Sequence, residues 1–127
     1  MRRRTVLSPD DQAPRMARAA LAATIPPPEL GERYPDAELA IAELTNNAVM
    51  HAGLDPPRTL EVIIIGGPES VRIEVVQPTA ANGVAQVEPR YERGRVGGFG
   101  LNIIDSSADA WGVDAGPPGK VWVEFRR

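Results

Sequence analysis

The chain has 127 residues, of which 43% are hydrophobic and 24% charged, a composition typical of one compact globular domain. It contains no cysteine and a single histidine, so disulfide frameworks, cysteine-ligated metal centres, thiol catalysis and multi-histidine metal sites are excluded. The formal net charge of −3 argues against a broad nucleic-acid interface. Any chemistry is therefore left to carboxylates, amides and the backbone.

Two helices are predicted in the first half of the chain. Residues 1–9 are expected to form a flexible N-terminal arm. A first helix is predicted from Asp10 to about Thr24, because helix-forming residues follow a capping aspartate and the prolines at 26–28 end the pattern. A second helix is predicted from Pro35 or Asp36 to about Ala52, with an apolar surface along its length.

Four strands are predicted in the second half. Residues 59–65 are β-branched and apolar, and residues 71–76 alternate apolar and charged side chains with a period of two. A glycine-containing turn joins them into an antiparallel hairpin. Two further strands, at residues 111–113 and 121–125, flank a turn at residues 116–119.

The segment between the two strand pairs has a different character. Residues 78–96 carry no periodic pattern, which is typical of a functional lid or a disordered segment. A short helix is predicted from Leu101 to about Ala108. The whole order predicts an α+β fold, a two-layer sandwich with the helices on one face of the sheet, in a single domain over residues 10–127.

The second predicted helix carries a carboxylate and a carboxamide on neighbouring turns. Glu43 and Asn47 are four residues apart, so they project from one face of the helix. Beside the apolar Leu44 and Ala48, this pair could hold a hydrated Mg²⁺ and position a nucleophile. An exposed polar stripe that only stabilises the helix is the alternative, and it is the simpler interpretation of these residues alone.

A glycine-rich run opens the third predicted helix. Gly97, Gly98 and Gly100, followed by Leu101, allow backbone N–H groups to approach a phosphate, and the helix dipole favours the anion. Any tight turn before a helix can also use glycine, so the run alone is weak support. The order of the two motifs is more specific: a helix with the pattern E-x-x-x-N, then a hairpin, a lid and a helix start with the pattern G-G-x-G-L.

This ordered set resembles the GHKL, or Bergerat-fold, superfamily of ATPases and kinases. It is most similar to the stand-alone anti-sigma-factor serine kinase branch, typified by RsbW and SpoIIAB. The resemblance covers residues 12–125: Glu43–Ala52 is similar to the branch's N box, Gly98–Ile104 to its second glycine box, and Asp109–Phe125 to its closing strands. It implies a histidine-kinase-like ATPase domain with a mixed, mostly antiparallel sheet.

The resemblance also implies roles for individual residues. Glu43 would be the general base toward an attacking hydroxyl, and Asn47 would ligate the Mg²⁺ that bridges the phosphates of ATP. The glycine run would lie against the phosphates, with residues 78–96 as the ATP lid. Three arginines of the lid either add positive charge near the phosphates or are solvated loop charges: Arg90, Arg93 and Arg95.

One position departs from the family's pattern. Where the first glycine box opens with an aspartate that accepts a hydrogen bond from the adenine amino group, this chain has Gln77, followed by Pro78. Gln77 keeps a carbonyl acceptor for the nucleotide, but it is neutral and has its own NH₂ group to satisfy. Losing the charge costs on the order of 1 kcal/mol of binding. Weak ATP binding, an altered nucleotide preference and a pseudo-kinase remain open as consequences.

The resemblance implies a cytoplasmic regulator of transcription. Such a protein binds ATP and Mg²⁺, binds a sigma factor and/or phosphorylates an anti-sigma-factor antagonist as a serine/threonine kinase, and forms a homodimer. The alternative is a non-catalytic interaction module with a degraded adenine pocket, and a detached histidine-kinase catalytic domain is a third interpretation. Direct contact with nucleic acid or with a membrane is not expected, since no apolar stretch approaches the ~18 residues of a membrane span.

Overall fold

The computed structural model describes residues 1–55, 57–81 and 104–127. Three α-helices precede most of the sheet, and they are α1 (Ala13–Thr24), α2 (Pro27–Leu30) and α3 (Tyr34–His51), with a 3₁₀ turn at Gly31–Arg33 before α3. The strands are β1 (Arg2–Leu7), β2 (Leu60–Gly66), β3 (Ser70–Gln77), β4 (Ala110–Asp114) and β5 (Gly119–Arg126). A helical turn covers residues 104–107.

The five strands form one sheet in the order β1-β2-β3-β5-β4. Every strand pairing in the described part of the chain is antiparallel, so the expectation of a mixed sheet is wrong for these strands. The tight turns of the β2–β3 and β4–β5 hairpins impose two of these four pairings, because strands joined by a tight turn can only be antiparallel. Alternate side chains of the central strands point into a common core, as the period of two requires; they include Val62, Ile64, Ile73, Val75, Val121 and Val123.

Helices α1 and α3 pack against each other and cover that apolar face of the sheet. The core joins sheet residues to apolar side chains of both helices, among them Ala17, Leu21, Ile41 and Leu44. The predicted α+β two-layer sandwich is therefore confirmed. Within the described residues, no helix is long and apolar enough to cross a lipid bilayer.

The first residues of the chain correct the sequence analysis. Residues 1–9 were expected to form a flexible arm, but Arg2–Leu7 form β1 and pair with β2. Leu7 lies opposite Leu60 and is only 1% exposed, so the strand contributes to the core. The sequence analysis missed this strand because three consecutive arginines give no alternation of apolar and polar residues. All three are exposed at the edge of the sheet, while their backbone pairs with β2.

The opposite face of the sheet is not covered by the described helices and carries charged side chains that pair with one another. Arg72 Nε lies 2.8 Å from Glu74 Oε2, and Lys120 Nζ lies 3.7 Å from the same oxygen. The guanidinium of Arg72 also stacks 4.1 Å from the ring centroid of Trp122. Arg72 and Glu74 both lie on β3, whereas the Lys120–Glu74 and Arg72–Trp122 contacts join β3 to β5. The two cross-strand contacts favour one register of the central sheet.

Candidate functional site

Helix α3 places Glu43 and Asn47 at the margin of the core. Leu44 and Ala48, each one residue further along, are 2% and 4% exposed and anchor the helix against the sheet. Glu43 and Asn47 are both partly exposed, and their four-residue spacing puts them one turn apart on the same side of the helix. The two predicted side chains are thus brought together where a bound molecule can reach them.

Thr45 lies between these two residues but has a structural role. Its side chain is fully buried, and its hydroxyl donates a 2.7 Å hydrogen bond to the carbonyl oxygen of Ile41. This bond satisfies the hydroxyl within the helix, so a polar residue is tolerated in the core. The polar stripe of the sequence therefore divides into a buried threonine, a partly exposed pair and an exposed neighbour, Asn46.

Gln77 ends β3 and is 6% exposed. Its side-chain nitrogen Nε2 donates to the carbonyl oxygen of Ala80 at 2.8 Å and to the hydroxyl of Thr79 at 3.2 Å. These two bonds use both hydrogens of the NH₂ group. Its carbonyl oxygen Oε1, which only accepts hydrogen bonds, takes part in no side-chain hydrogen bond among the residues that the structure describes.

The residues after β3 are fixed on three sides. The hydroxyl of Thr79 donates to the carbonyl oxygen of Ala52 at 2.9 Å, directly after the end of α3. The backbone N–H of Gly119 donates to the carbonyl oxygen of Thr79 at 2.9 Å, and that of Ala81 donates to Ala115 at 2.7 Å. The expected lid over residues 78–96 thus starts in a segment that is bonded to α3 and to the β4–β5 hairpin.

Gly119 permits this close approach. A Cβ atom on Gly119 would lie 2.6 Å from the backbone nitrogen of Ala81 and 2.7 Å from the carbonyl oxygen of Thr79. Backbone atoms cannot yield as a flexible side chain can, so only glycine fits here. The sequence analysis did not identify Gly119 or Thr79 as site residues. The signal in the sequence that pointed to this region was the departure from the family's pattern at Gln77-Pro78-Thr79.

The Thr79 bond also relates Gln77 to the residues on α3. Ala52 follows Asn47 by five positions, which corresponds to about 7.5 Å along a helix axis. The end of β3 and the polar pair of α3 therefore belong to the same end of the molecule. The other predicted site residues, Gly97, Gly98, Gly100 and Leu101, lie outside the described residues, as do Arg90, Arg93 and Arg95.

A second cluster of polar contacts joins residues 107–109 to the start of α3 and to the end of β5. Arg33 Nη2 donates to the carbonyl oxygen of Ser107 at 2.9 Å, and Arg33 Nη1 lies 3.0 Å from Asp109 Oδ2. The backbone N–H of Arg126 donates to the same carboxylate oxygen at 2.6 Å. This backbone bond and the guanidinium outweigh partial desolvation and lower the pKa of Asp109 below its usual value. None of these contacts was predicted from the sequence.

The donor set fits a magnesium–nucleotide complex better than a cage made of protein ligands alone. Among the residues that the structure describes, no group of three or more His, Cys, Asp or Glu side chains could hold a metal ion. The Glu43 carboxylate and the Asn47 amide oxygen are hard oxygen donors, which Mg²⁺ prefers. Mg²⁺ usually takes one or two protein ligands and fills its other positions with phosphate oxygens and water.

Comparison with known proteins identifies the family. Histidine kinase-like ATPase domains match residues 9–126. The fold is similar to the crystal structure of the RsbU and RsbW domains of Rv1364c from Mycobacterium tuberculosis, with a TM-score of 0.73 and 18% sequence identity. That match covers 99% of this chain and 32% of the other chain, so this chain spans about a third of its length. No curated protein matches the sequence.

The family match confirms the resemblance to the GHKL superfamily and covers both α3 and the end of β3. A family of ATPases implies nucleotide binding, typically with Mg²⁺. The structural match agrees with the family match. At 18% sequence identity it shows a shared fold alone. The chain belongs to the histidine kinase-like ATPase domain family.

Proposed function

We propose that this protein binds ATP with Mg²⁺ and transfers the γ-phosphoryl group to a serine or threonine of a partner protein. The observation that carries this proposal is the pair Glu43 and Asn47, partly exposed on one side of α3 in a member of an ATPase family. Phosphoryl transfer requires positioning and charge neutralisation more than covalent chemistry from the protein. A small set of side chains is therefore sufficient.

Asn47 is the proposed Mg²⁺ ligand, through its amide oxygen. When bound, the ion neutralises charge on the phosphates of the nucleotide. The position of Asn47 suits this role because its backbone is held by the buried Leu44 and Ala48, so the amide is presented from a rigid helix. A rigid support costs little conformational entropy when the ligand binds.

Glu43 is the proposed general base. Its carboxylate accepts the proton of the attacking hydroxyl while the hydroxyl oxygen forms a bond to the γ-phosphorus. The bond between that phosphorus and the bridging oxygen of ADP breaks in the same reaction, and ADP leaves with the bonding electrons. Glu43 and Asn47 lie one turn apart, which supports one side chain acting on the nucleophile and the other on the phosphates.

Gln77 is the proposed contact to the nucleobase, through Oε1. Its two N–H groups are already bonded to Thr79 and Ala80, so the carbonyl oxygen is available to accept from the amino group of adenine. The glycine run, Gly97, Gly98 and Gly100 with Leu101, is proposed to contact the phosphates, as the family resemblance implies. These residues lie outside the described part of the chain.

The proposed partner is a sigma factor and/or an anti-sigma-factor antagonist, bound in the cytoplasm by a homodimer of this chain. Two observations support this class of partner. The run Glu43–Ala52 is similar to the N box of the anti-sigma-factor kinases, and the fold is shared with a structure that contains an RsbW domain. The regulatory effect on transcription follows from binding or releasing the sigma factor.

Calorimetric titration with ATP in the presence and absence of Mg²⁺ tests the nucleotide site. The wild type is expected to bind Mg·ATP. Asn47→Ala is expected to bind it at least roughly tenfold more weakly, because the loss of a residue that only hydrogen-bonds to a metal ligand already lowers affinity by that factor. Asn46→Ala is the matched control, because Asn46 is exposed on the same helix and is expected to have no effect. No heat at high micromolar ATP would refute the proposal.

A non-catalytic interaction module is the second candidate function, and the neutral Gln77 favours it. The variant Gln77→Asp distinguishes the two. A large gain in ATP affinity would show that the natural site is impaired and would support the interaction module. A loss of affinity is expected if Gln77 is the native base contact, because aspartate cannot donate to the carbonyl oxygen of Ala80.

A further inference from the structure

We infer that the Thr79 hydroxyl, together with the backbone oxygen of Ala80, fixes the orientation of the Gln77 side-chain amide and thereby makes the site select 6-amino purines over 6-oxo purines. The inference rests on the proposed nucleotide binding and assigns its base specificity to a residue outside the nucleotide contact itself. Thr79 is a positioning residue in this arrangement, because it acts through Gln77.

The hydrogen-bond partners of Gln77 permit one orientation of its amide. The backbone oxygen of Ala80, 2.8 Å away, can only accept, so the atom facing it must carry hydrogen. The hydroxyl of Thr79 has one hydrogen, and it is directed to the carbonyl oxygen of Ala52. Toward Gln77 this hydroxyl can therefore only accept, and it too requires the NH₂ group.

Rotating the amide by half a turn would exchange its oxygen and nitrogen. The carbonyl oxygen would then face two acceptors, from Thr79 and Ala80, and both hydrogen bonds would be lost. Gln77 is 6% exposed, so water has little access to replace those bonds. Leaving buried polar groups unsatisfied is costly, and the flipped state is correspondingly rare.

The backbone prevents the threonine from adjusting to a flipped amide. Gly119 donates to the carbonyl oxygen of Thr79, and Ala81 donates to Ala115, so the segment is held on both sides of Ala80. The hydroxyl bond to Ala52 ties the same segment to the end of α3. Thr79 thus presents a fixed acceptor to Gln77.

The fixed orientation determines what the nucleobase must provide. The Oε1 atom of Gln77 accepts a hydrogen bond, so it matches the amino group at position 6 of adenine. An oxo group at the same position, as in inosine or guanosine nucleotides, would place an acceptor against an acceptor. A site built around a buried hydrogen-bond partner rejects the wrong analogue strongly, because the protein group is left unpaired.

Titration with ATP and with inosine triphosphate, both with Mg²⁺, tests the inference. The two nucleotides differ at the 6-position of the base and in the hydrogen that hypoxanthine carries on N1, so the ratio of their dissociation constants reports on recognition of that edge of the base. Wild type is expected to bind ATP at least about tenfold more tightly than inosine triphosphate, equivalent to the loss of one net hydrogen bond. Equal affinities for the two nucleotides would overturn the inference even without a variant.

Two variants of Thr79 separate positioning from general structure. Thr79→Val keeps the shape but removes the hydroxyl, so only the bond to Ala80 still opposes a flip of the amide. The flipped state becomes less costly, and the preference for ATP is expected to fall several-fold. Thr79→Ser keeps the hydroxyl and is expected to retain the preference. A merely structural role would weaken both nucleotides equally and leave the ratio unchanged, which would overturn the inference.

The failure of the underlying proposal gives a different result. If the wild type bound neither nucleotide, the proposed ATP site would be wrong and the specificity inference would fail with it. If the wild type bound ATP with the expected preference but Thr79→Val kept that preference, the nucleotide site would stand and only the role of Thr79 would be refuted.

Discussion

Arg33 and Asp109 form an ion pair, 3.0 Å between Nη1 and Oδ2, that joins the residue before α3 to the residue before β4. The same guanidinium donates to the carbonyl oxygen of Ser107 and stacks 5.4 Å from the ring centroid of Phe125. The chain that follows residue 103 is thereby attached to the start of the helix that carries Glu43 and Asn47.

This ion pair predicts a dependence of stability on pH. The pKa of Asp109 is lowered in the folded protein, first by the backbone bond from Arg126 and also by Arg33. Its stabilising effect is fully present above the ordinary pKa of 3.8 and is lost as the pH falls through the lower, folded value. In urea unfolding, wild type should exceed Asp109→Asn in free energy of unfolding at neutral pH, and the difference should shrink below the ordinary value.

Asp114→Asn is the control for that measurement, since Asp114 is an exposed carboxylate at the other end of β4. The effect assigned to Asp109 is read as the difference between the two variants in free energy of unfolding at each pH. A difference between wild type and Asp109→Asn that stays constant down to the acid transition would contradict the assigned role.

Glu43→Gln is expected to separate chemistry from binding. The amide keeps the size of the side chain but cannot accept the proton of the hydroxyl, so phosphoryl transfer to a partner should fall by about 10²–10⁴-fold. ATP affinity should remain essentially unchanged. Radiolabel transfer from ATP and calorimetry measure the two quantities, with Glu38→Gln, an exposed glutamate of α3, as control. Full activity of Glu43→Gln would exclude Glu43 as the base.

Gly119→Ala should damage the base end of the site through the backbone. The new Cβ would lie 2.6 Å from Ala81 N and 2.7 Å from Thr79 O, so the bonded segment has to move. Overpacking of this kind costs about 1–3 kcal/mol of stability, and ATP affinity should fall along with it. Chemical unfolding and calorimetry measure the two effects. Gly67→Ala is the control, since its nearest contact would be an ordinary 3.5 Å; equal losses in both variants would refute the close approach.

Gly112 lies opposite Trp122 across β4 and β5, and a Cβ there would be 2.7 Å from the indole ring. The ring cannot easily turn away, because Arg72 stacks on it. Gly112→Ala should therefore cost about 1–3 kcal/mol of stability in chemical unfolding. Adding Trp122→Leu should relieve the clash, so the double variant is expected to lose less than the sum of the single variants; strict additivity would count against direct contact.

The elements predicted well from the sequence are those with a strong local pattern. Helix α3 and the β2–β3 hairpin were predicted to within a residue or two, because helical spacing, alternation and a glycine turn are all local signals. The pair Glu43 and Asn47 follows directly from the helix. Strand β1 was missed because its partner β2 is distant in sequence and its arginines obscure any alternation.

The surroundings of Gln77 could not be predicted for a related reason. Its identity suggested a lost aspartate, but the structure shows an amide whose donors are both used. Those bonds depend on Thr79, whose position depends on Ala52 and Gly119, residues far apart in the chain. Hydrogen bonds between distant segments leave no periodic pattern in a single sequence. The ion pair of Arg33 with Asp109 was missed for the same reason.

Strand β1 also affects how copies of this chain can meet. It is an edge of the described sheet, and edge strands offer unpaired backbone groups to any second strand. Arg2, Arg3 and Arg4 are all exposed on that edge. Two copies placed edge to edge through β1 would bring three arginines of each chain together, and their repulsion opposes a continuous intermolecular sheet. The proposed homodimer is therefore better served by a surface other than the β1 edge.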